Sequence, residues 1–186
     1  MTFLYTARAT YDKTYSDDGM AWEKYIEWSG LTHLTELVSL DGMLNEILVE
    51  PNLDDADDWD YIHTIEQYQT GFFTTLDFVF KRLKPKNKFN LLTVVVEPDA
   101  ECNILGIDDF EFVGYDLLDK DFGISALTNC GGFDETFLPK DLNGKGLIDD
   151  FKTSYEIKKR LLENNPEEHH ADTNVIAIWR HKTIRR

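Results

Sequence analysis

The segment DLNGKGLIDDFK, residues 141–152, has the residue types of a calcium-binding loop at several positions. Its first, third and sixth residues are Asp, Asn and Gly, where an EF-hand loop places two oxygen ligands and a sharp turn. The fifth and twelfth residues, however, are Lys145 and Lys152. An ammonium group has no lone pair for a cation and repels it, so we predict no calcium site here.

A turn followed by a helix explains the same residues. Asn143-Gly144 and Gly146 are typical of tight turns with positive φ. Asp149 or Asp150 then stands where a helix N-cap is expected. This interpretation needs no metal ion.

Cys130 is the first candidate for covalent chemistry. It follows a predicted strand and precedes Gly131 and Gly132, so its thiolate could attack a substrate while nearby backbone N–H groups form an oxyanion hole. His169 and His170 are candidate bases, with neighbouring carboxylates to orient them. The simpler interpretation is a glycine turn beside a small buried thiol.

The histidine pair also has the residue types of a metal site. His169 and His170 are flanked by Glu168 and Asp172, but adjacent histidines seldom point the same way and no HExxH-type spacing occurs. We therefore interpret residues 166–172 as a solvated loop before a strand and predict no metal.

The third candidate is an acidic loop at residues 50–60. Its carboxylates repel one another, which predicts a solvated loop. Trp59 and Tyr61 either anchor a basic partner beside these charges or pin the loop onto the core while the carboxylates face water. The candidate binding residues are Asp54, Asp55, Asp57, Asp58, Trp59 and Tyr61.

Charge limits the classes of partner. The 186 residues include 35 Asp and Glu against 19 Lys and Arg, a formal net charge of −16. This disfavours nucleic acid and anionic membrane surfaces and favours a basic protein partner. No apolar run is long enough to span a membrane, and the N-terminal residues do not resemble a signal peptide. We therefore expect a cytoplasmic protein, whose Cys102 and Cys130 are reduced.

Familiar enzyme motifs are absent from the sequence. It contains no P-loop, Rossmann glycine motif, nucleophile elbow or CxxC pair, and we predict no cofactor. This disfavours the common nucleotide-binding, hydrolase and redox classes.

The elements that must position these residues follow from hydrophobic periodicity. Strands are predicted at residues 3–9, 34–40, 89–98, 110–119, 123–129 and 174–180, the third of them central in a sheet. Helices are predicted at residues 17–30, capped by Asp17 or Asp18 and ended by Gly30, at 71–84, and from Asp149 or Asp150 to Glu163. The prediction is a single domain, residues 1–186, of α/β or α+β class. It has a mixed sheet of about six strands, some of them parallel, and about three packed helices.

Two resemblances bear on function. The segments WEKYIEWSGLT, FEFVGYDLLD, SALTNCGGF and HADTNVIAIWR resemble a group of small acidic bacterial proteins of uncharacterised function, a likeness that carries no site assignment. Size and acidity are similar to those of bacterial immunity proteins, which neutralise toxins by charge and shape.

Together these features predict a non-enzymatic acidic protein that binds a basic protein partner. The alternative is a small hydrolase or transferase that uses Cys130 with His169 or His170. A third hypothesis is a small-molecule binding module with a pocket lined by aromatic side chains.

Overall fold

The computed structural model describes residues 1–14, 21–66, 68–84, 88–128, 139–168 and 171–185. The strands are β1 (Leu4–Ala9), β2 (Tyr11–Asp12), β3 (Glu36–Leu37), β4 (Ile62–Ile65), β5 (Tyr68–Phe73), β6 (Phe89–Val96), β7 (Phe110–Asp119) and β8 (Thr173–Arg185). The helices are α1 (Trp22–Ser29), α2 (Ala56–Trp59), α3 (Leu76–Lys81) and α4 (Phe151–Asn164), with one 3₁₀ turn at Pro139–Asp141.

Six strands form one sheet in the order β4-β5-β1-β6-β8-β7, and β2 pairs with β3 in a small second sheet. The α+β class is confirmed. The expected parallel pairings are wrong for the described strands, since every neighbouring pair is antiparallel. The reason is that β8 inserts between β6 and β7, which run in the same direction, and pairs with both.

The predicted central strand is confirmed as β6. Leu91 and Val95 belong to the core on one face of the sheet, and Leu92 and Val94 belong to the core on the other. A continuous apolar run is the pattern expected of a strand covered on both sides.

Helices α3 and α4 cover one face of the sheet at opposite ends. Helix α3 contacts β1 and β5, whereas α4 contacts β7 and β8. Ile157 and Leu161 of α4 share a buried cluster with Tyr115 and Trp179. Substitutions on the outer side of α3 are therefore far from those on the outer side of α4.

The opposite face is covered by chain without regular structure. Leu40, Phe122 and Leu147 pack there against Leu92 and Ile178. Irregular chain can be buried only if its backbone polar groups find partners, and buried side chains supply several of these partners.

A buried polar network does this. Arg8, Asp41, Asn45 and Asp116 are all fully buried. Arg8 Nη1 donates to the carbonyl oxygen of Leu40 at 2.9 Å, and Asn45 Nδ2 donates to the backbone of β1 and β3. The network holds residues 37–45 against the sheet.

The predicted helix at residues 71–84 is wrong in its first half. Phe72 and Phe73 lie in β5 and are buried, and Gly71 has a φ of 71°. Helix α3 begins only after Thr75, whose hydroxyl accepts a hydrogen bond from the Phe78 N–H. Phe80 of α3 is 42% exposed in spite of its apolar side chain.

Two predicted strands are mostly irregular. Of residues 34–40, only β3 pairs as a strand. Residues 123–128 contribute one antiparallel bridge, between Ser125 and Leu118. Carboxylates take the N–H groups instead: Asp119 accepts from Gly123 and Ile124, and Asp41 accepts from Ser125.

Helix boundaries follow the capping signals in two of three cases. Gly30 ends α1 in the left-handed conformation, and the Asp150 carboxylate caps α4. Asp17 and Asp18 lie outside the described residues, and the N-cap of α1 is Ala21, without a side-chain hydrogen bond. Leu162 of α4 is exposed in spite of its apolar side chain.

Candidate interaction surface

The acidic loop contains a short helix, α2, rather than solvated chain alone. Asp55 is its N-cap, and its carboxylate accepts a hydrogen bond from the Asp57 N–H at 3.1 Å. A carboxylate at this position satisfies a free backbone donor. Residues 55–59 therefore have a defined conformation.

Asp58 is not solvated, contrary to the sequence prediction. Arg82 Nη2 donates to its Oδ1 at 2.9 Å, and Arg82 Nε lies 2.7 Å from Oδ2. The backbone N–H of Asn52 donates to Oδ2 at 2.8 Å, and Lys81 Nζ lies 3.6 Å from Oδ1. The side chain has no exposed area, because these neighbours cover it near the surface of the molecule.

The charge of Arg82 fixes the ionisation of this group. Its hydrogen bond to Asp58 holds the pKa of that carboxyl below its usual value, and the same contact raises the pKa of Arg82. Arg82 also lies 3.6 Å from Asp55. One arginine from the end of α3 therefore anchors both the cap and the interior of the acidic loop.

The remaining carboxylates of the loop face water. Asp54, Asp57 and Asp60 are exposed. Between them, the indole N–H of Trp59 donates to the carbonyl oxygen of Leu53 at 3.0 Å, and both Trp59 and Leu53 keep close to half of their surface exposed. The loop thus exposes apolar area and carboxylates within the same short segment.

Tyr61 extends this surface toward α3. Its ring stacks on Phe78, with centroids 4.9 Å apart and planes 14° apart, and it remains 37% exposed. Trp59 and Tyr61 are therefore fixed by contacts and also partly exposed. The two interpretations of the aromatic residues do not exclude each other.

A cleft of about 280 Å³ lies beside Tyr61. It is lined by Tyr61, Thr75, Asp77, Phe78 and Lys81. Asp77 is not among the residues predicted from sequence, because a single helix over residues 71–84 hides the start of α3 at Leu76. The Thr-Thr pair just before Leu76 is the signal for a helix start that could have placed Asp77 in the first turn.

The residues of the Cys-His hypothesis, Cys130, His169 and His170, lie outside the described residues, so that hypothesis stays a prediction. The other cysteine, Cys102, is fully buried, and burial raises the pKa of its thiol. Its backbone N–H donates a hydrogen bond to the hydroxyl oxygen of Tyr115 at 2.9 Å. Cys102 is therefore a core residue and not a nucleophile.

The calcium-like segment forms a side-chain-supported turn. Asn143 Oδ1 accepts from the N–H groups of Lys145 and Leu147. Gly146 has the expected positive φ, but Gly144 does not. Across the described ranges, no three His, Cys, Asp or Glu side chains are grouped as a metal site would require.

A larger cleft, of about 470 Å³, lies at the N-terminal end of β1. His63, Ile65, Val96 and Asp99 are among the residues that line it. None of the candidate residues within the described ranges lines it, so the sequence assigns it no function.

Comparison with known proteins assigns the chain to no family. No protein-family model, no curated protein and no solved structure matches the chain. In the part of the chain that the structure describes, no helix has the length and apolar character needed to cross a bilayer. The surface itself is therefore the basis for a functional proposal.

Proposed function

We propose that the protein is a non-enzymatic acidic binding protein that engages a basic protein partner, in the manner of immunity proteins. The interaction surface comprises residues 53–61 and the outer side of α3. The observation that carries the proposal is the pair between Arg82 and Asp58, because it holds the acidic loop in one conformation.

Preorganisation matters because ordering a loop upon binding costs free energy. Immobilising each flexible side chain at an interface costs roughly 0.5–1.5 kcal/mol. Here the cap at Asp55, the Asp58–Arg82 pair and the bond from Trp59 to Leu53 already fix the loop. Its exposed carboxylates can therefore meet a partner without much further ordering.

Charge and aromatic surface have separate roles in this proposal. The net charge of −16 and the local carboxylates accelerate encounter with a basic partner, an effect that salt weakens. Trp59 and Leu53 supply apolar contact area that salt does not weaken. Exposed aromatic residues are frequent energetic anchors of interfaces.

The test measures association kinetics of a partner identified by affinity capture from the native host. We expect the association rate to fall by on the order of tenfold between about 0.05 and 0.5 M salt. Replacing Asp54, Asp57 and Asp60 together by Asn should reproduce most of that fall at low salt.

The matched control is the triple replacement of Glu156, Glu167 and Glu168 by Gln. These exposed carboxylates lie on or just after α4, at the opposite end of the sheet from α3. The control removes the same charge from elsewhere and should change the rate far less. Equal effects of the two triple variants, or an association rate independent of salt, would refute the proposal.

Thiol reactivity separates this proposal from the hypothesis of a Cys130 nucleophile. A low-pKa catalytic thiol reacts quickly with iodoacetamide near neutral pH, whereas a buried thiol does not. Cys102 is a built-in slow reference because it is fully buried. Rapid alkylation of Cys130 that His169→Ala or His170→Ala slows would favour the enzyme.

A further inference from the structure

The outer side of α3 presents a charged and aromatic face next to the acidic loop. Asp77, Phe80 and Lys81 are spaced by three and four residues, so they lie on the same side of the helix. All three are exposed. Asp77 and Lys81 also line the cleft beside Tyr61.

The cleft has one aromatic wall and one available carboxylate. One face of the Tyr61 ring is covered by Phe78, and the residue remains 37% exposed. Within the described ranges, the Asp77 carboxylate makes no ion pair or side-chain hydrogen bond. An aromatic face and a carboxylate together favour a flat cation.

Lys81 limits what the cleft can accept. Its ammonium lies 3.6 Å from Asp58, on the side of the acidic loop. It is therefore held by another carboxylate and does not neutralise Asp77. It still places positive charge at the rim of the cleft. Removing that charge should therefore strengthen binding of a cation and weaken binding of an anion.

We propose that this cleft receives an arginine side chain of the basic partner, with the guanidinium stacked on Tyr61 and hydrogen-bonded to Asp77. Arginine fits better than lysine because its planar group can stack on a ring and donate two hydrogen bonds to one carboxylate. This inference rests on the proposed function and specifies which residue of the partner the surface selects.

The experiment uses two synthetic peptides as probes, one of alternating Arg and Ala and one of alternating Lys and Ala, with equal length and charge. Binding is measured by fluorescence anisotropy at low salt. We expect the Arg peptide to bind about threefold to fivefold more tightly. Asp77→Asn and Tyr61→Leu should each remove that preference.

Lys81→Gln should change binding in the opposite direction from Asp77→Asn. Removing the rim cation should tighten binding of the Arg peptide by about twofold or more. Its matched control is Lys159→Gln on α4, which has the same change of charge and should tighten binding less. Thermal unfolding of each variant checks that the fold is retained, which these exposed positions permit.

The outcomes separate the cleft from the surface as a whole. If the two peptides bind equally, and Asp77→Asn has no effect while binding still depends on Asp54, Asp57 and Asp60, the arginine cleft is wrong and the acidic surface stands. Weaker binding of the Arg peptide by Lys81→Gln would show that Lys81 supports binding and does not oppose it, which would overturn the inference. If neither peptide binds and the captured partner ignores salt, both proposals fail.

Discussion

Two solvent-excluded carboxylates, Asp116 in the sheet and Asp58 in the acidic loop, have opposite pKa shifts. Among the described residues, Asp116 accepts hydrogen bonds from neutral donors alone: the N–H groups of Leu40 and Leu117 and the hydroxyls of Ser39 and Ser125. Burial raises its pKa despite these bonds, whereas Arg82 lowers that of Asp58.

The difference shows that burial alone does not determine the charge of a carboxylate. Arg8 lies in the same network as Asp116, but it donates to backbone carbonyls. Burial lowers the pKa of Arg8 to about 10, and the charges of Asp41 and Asp116 only partly oppose this. Asp116 therefore organises the core, while Asp58 fixes a surface.

The largest expected effect comes from Asp116→Ala. It removes the acceptor of four hydrogen bonds in a buried site and leaves Arg8 with less compensating charge. We expect a loss of about 3–5 kcal/mol in the free energy of unfolding, measured by urea denaturation. Asp57→Ala, at an exposed position, is the control, and an equal loss there would contradict the distinction between core and loop.

The pH dependence of stability should differ in sign between the two sites. The pKa of Asp58 is lowered in the folded state, so its contribution is present above the ordinary value of 3.8 and is lost as pH falls through the lowered value. The pKa of Asp116 is raised, so stability declines as pH rises from 3.8 through the raised value.

Urea unfolding across acidic pH checks this with two amide variants. Asp58→Asn should remove a rise in stability with pH, and Asp116→Asn should remove a decline. If the two variants differ from wild type in the same direction as pH changes, the opposite pKa shifts of Asp58 and Asp116 are disproved.

A smaller effect is expected at Asp150, which sharpens the comparison. Its carboxylate accepts from the N–H and hydroxyl of Thr153, and its pKa is lowered although these donors are neutral. It is exposed, so little desolvation opposes them. Asp150→Ala should cost about 1 kcal/mol through loss of the α4 cap, and Glu156→Ala on the same helix should cost clearly less.

The smallest effect is expected at His63. The Thr70 hydroxyl donates to the His63 carbonyl oxygen, so the contact between Thr70 Oγ1 and His63 Nδ1 requires the proton on Nδ1. Burial lowers the pKa of this ring below 6.5, and stability should fall slightly as pH drops below that value. Nitrogen NMR checks the tautomer, and a proton on Nε2 of the neutral ring would contradict it.

Most of this fold can be predicted from the sequence, because local patterns determine these elements. The apolar run of β6, the strands β1, β7 and β8, and the start of α4 at Asp150 follow from periodicity and capping. Local patterns fail where a distant carboxylate accepts a hydrogen bond from a backbone N–H. Asp116 accepts from Leu40, and Asp41 accepts from Ser125.

The candidate surface was predictable only where local sequence patterns determine it. The exposed Asp54, Asp57 and Trp59 follow from a run of like charges. The burial of Asp58 does not, because its partner Arg82 lies 24 residues further along the chain. The cleft beside Asp77 depends on where α3 begins, which periodicity placed too early.

The insertion of β8 between β6 and β7 has a consequence for synthesis of the chain. A ribosome-bound chain that ends before Thr173 can form neither of the two longest pairings of the sheet. Both flanking strands then expose unpaired edges, which are templates for aggregation. Closure of the sheet must therefore wait until residues 173–185 leave the exit tunnel, and premature stop codons before them should yield insoluble protein.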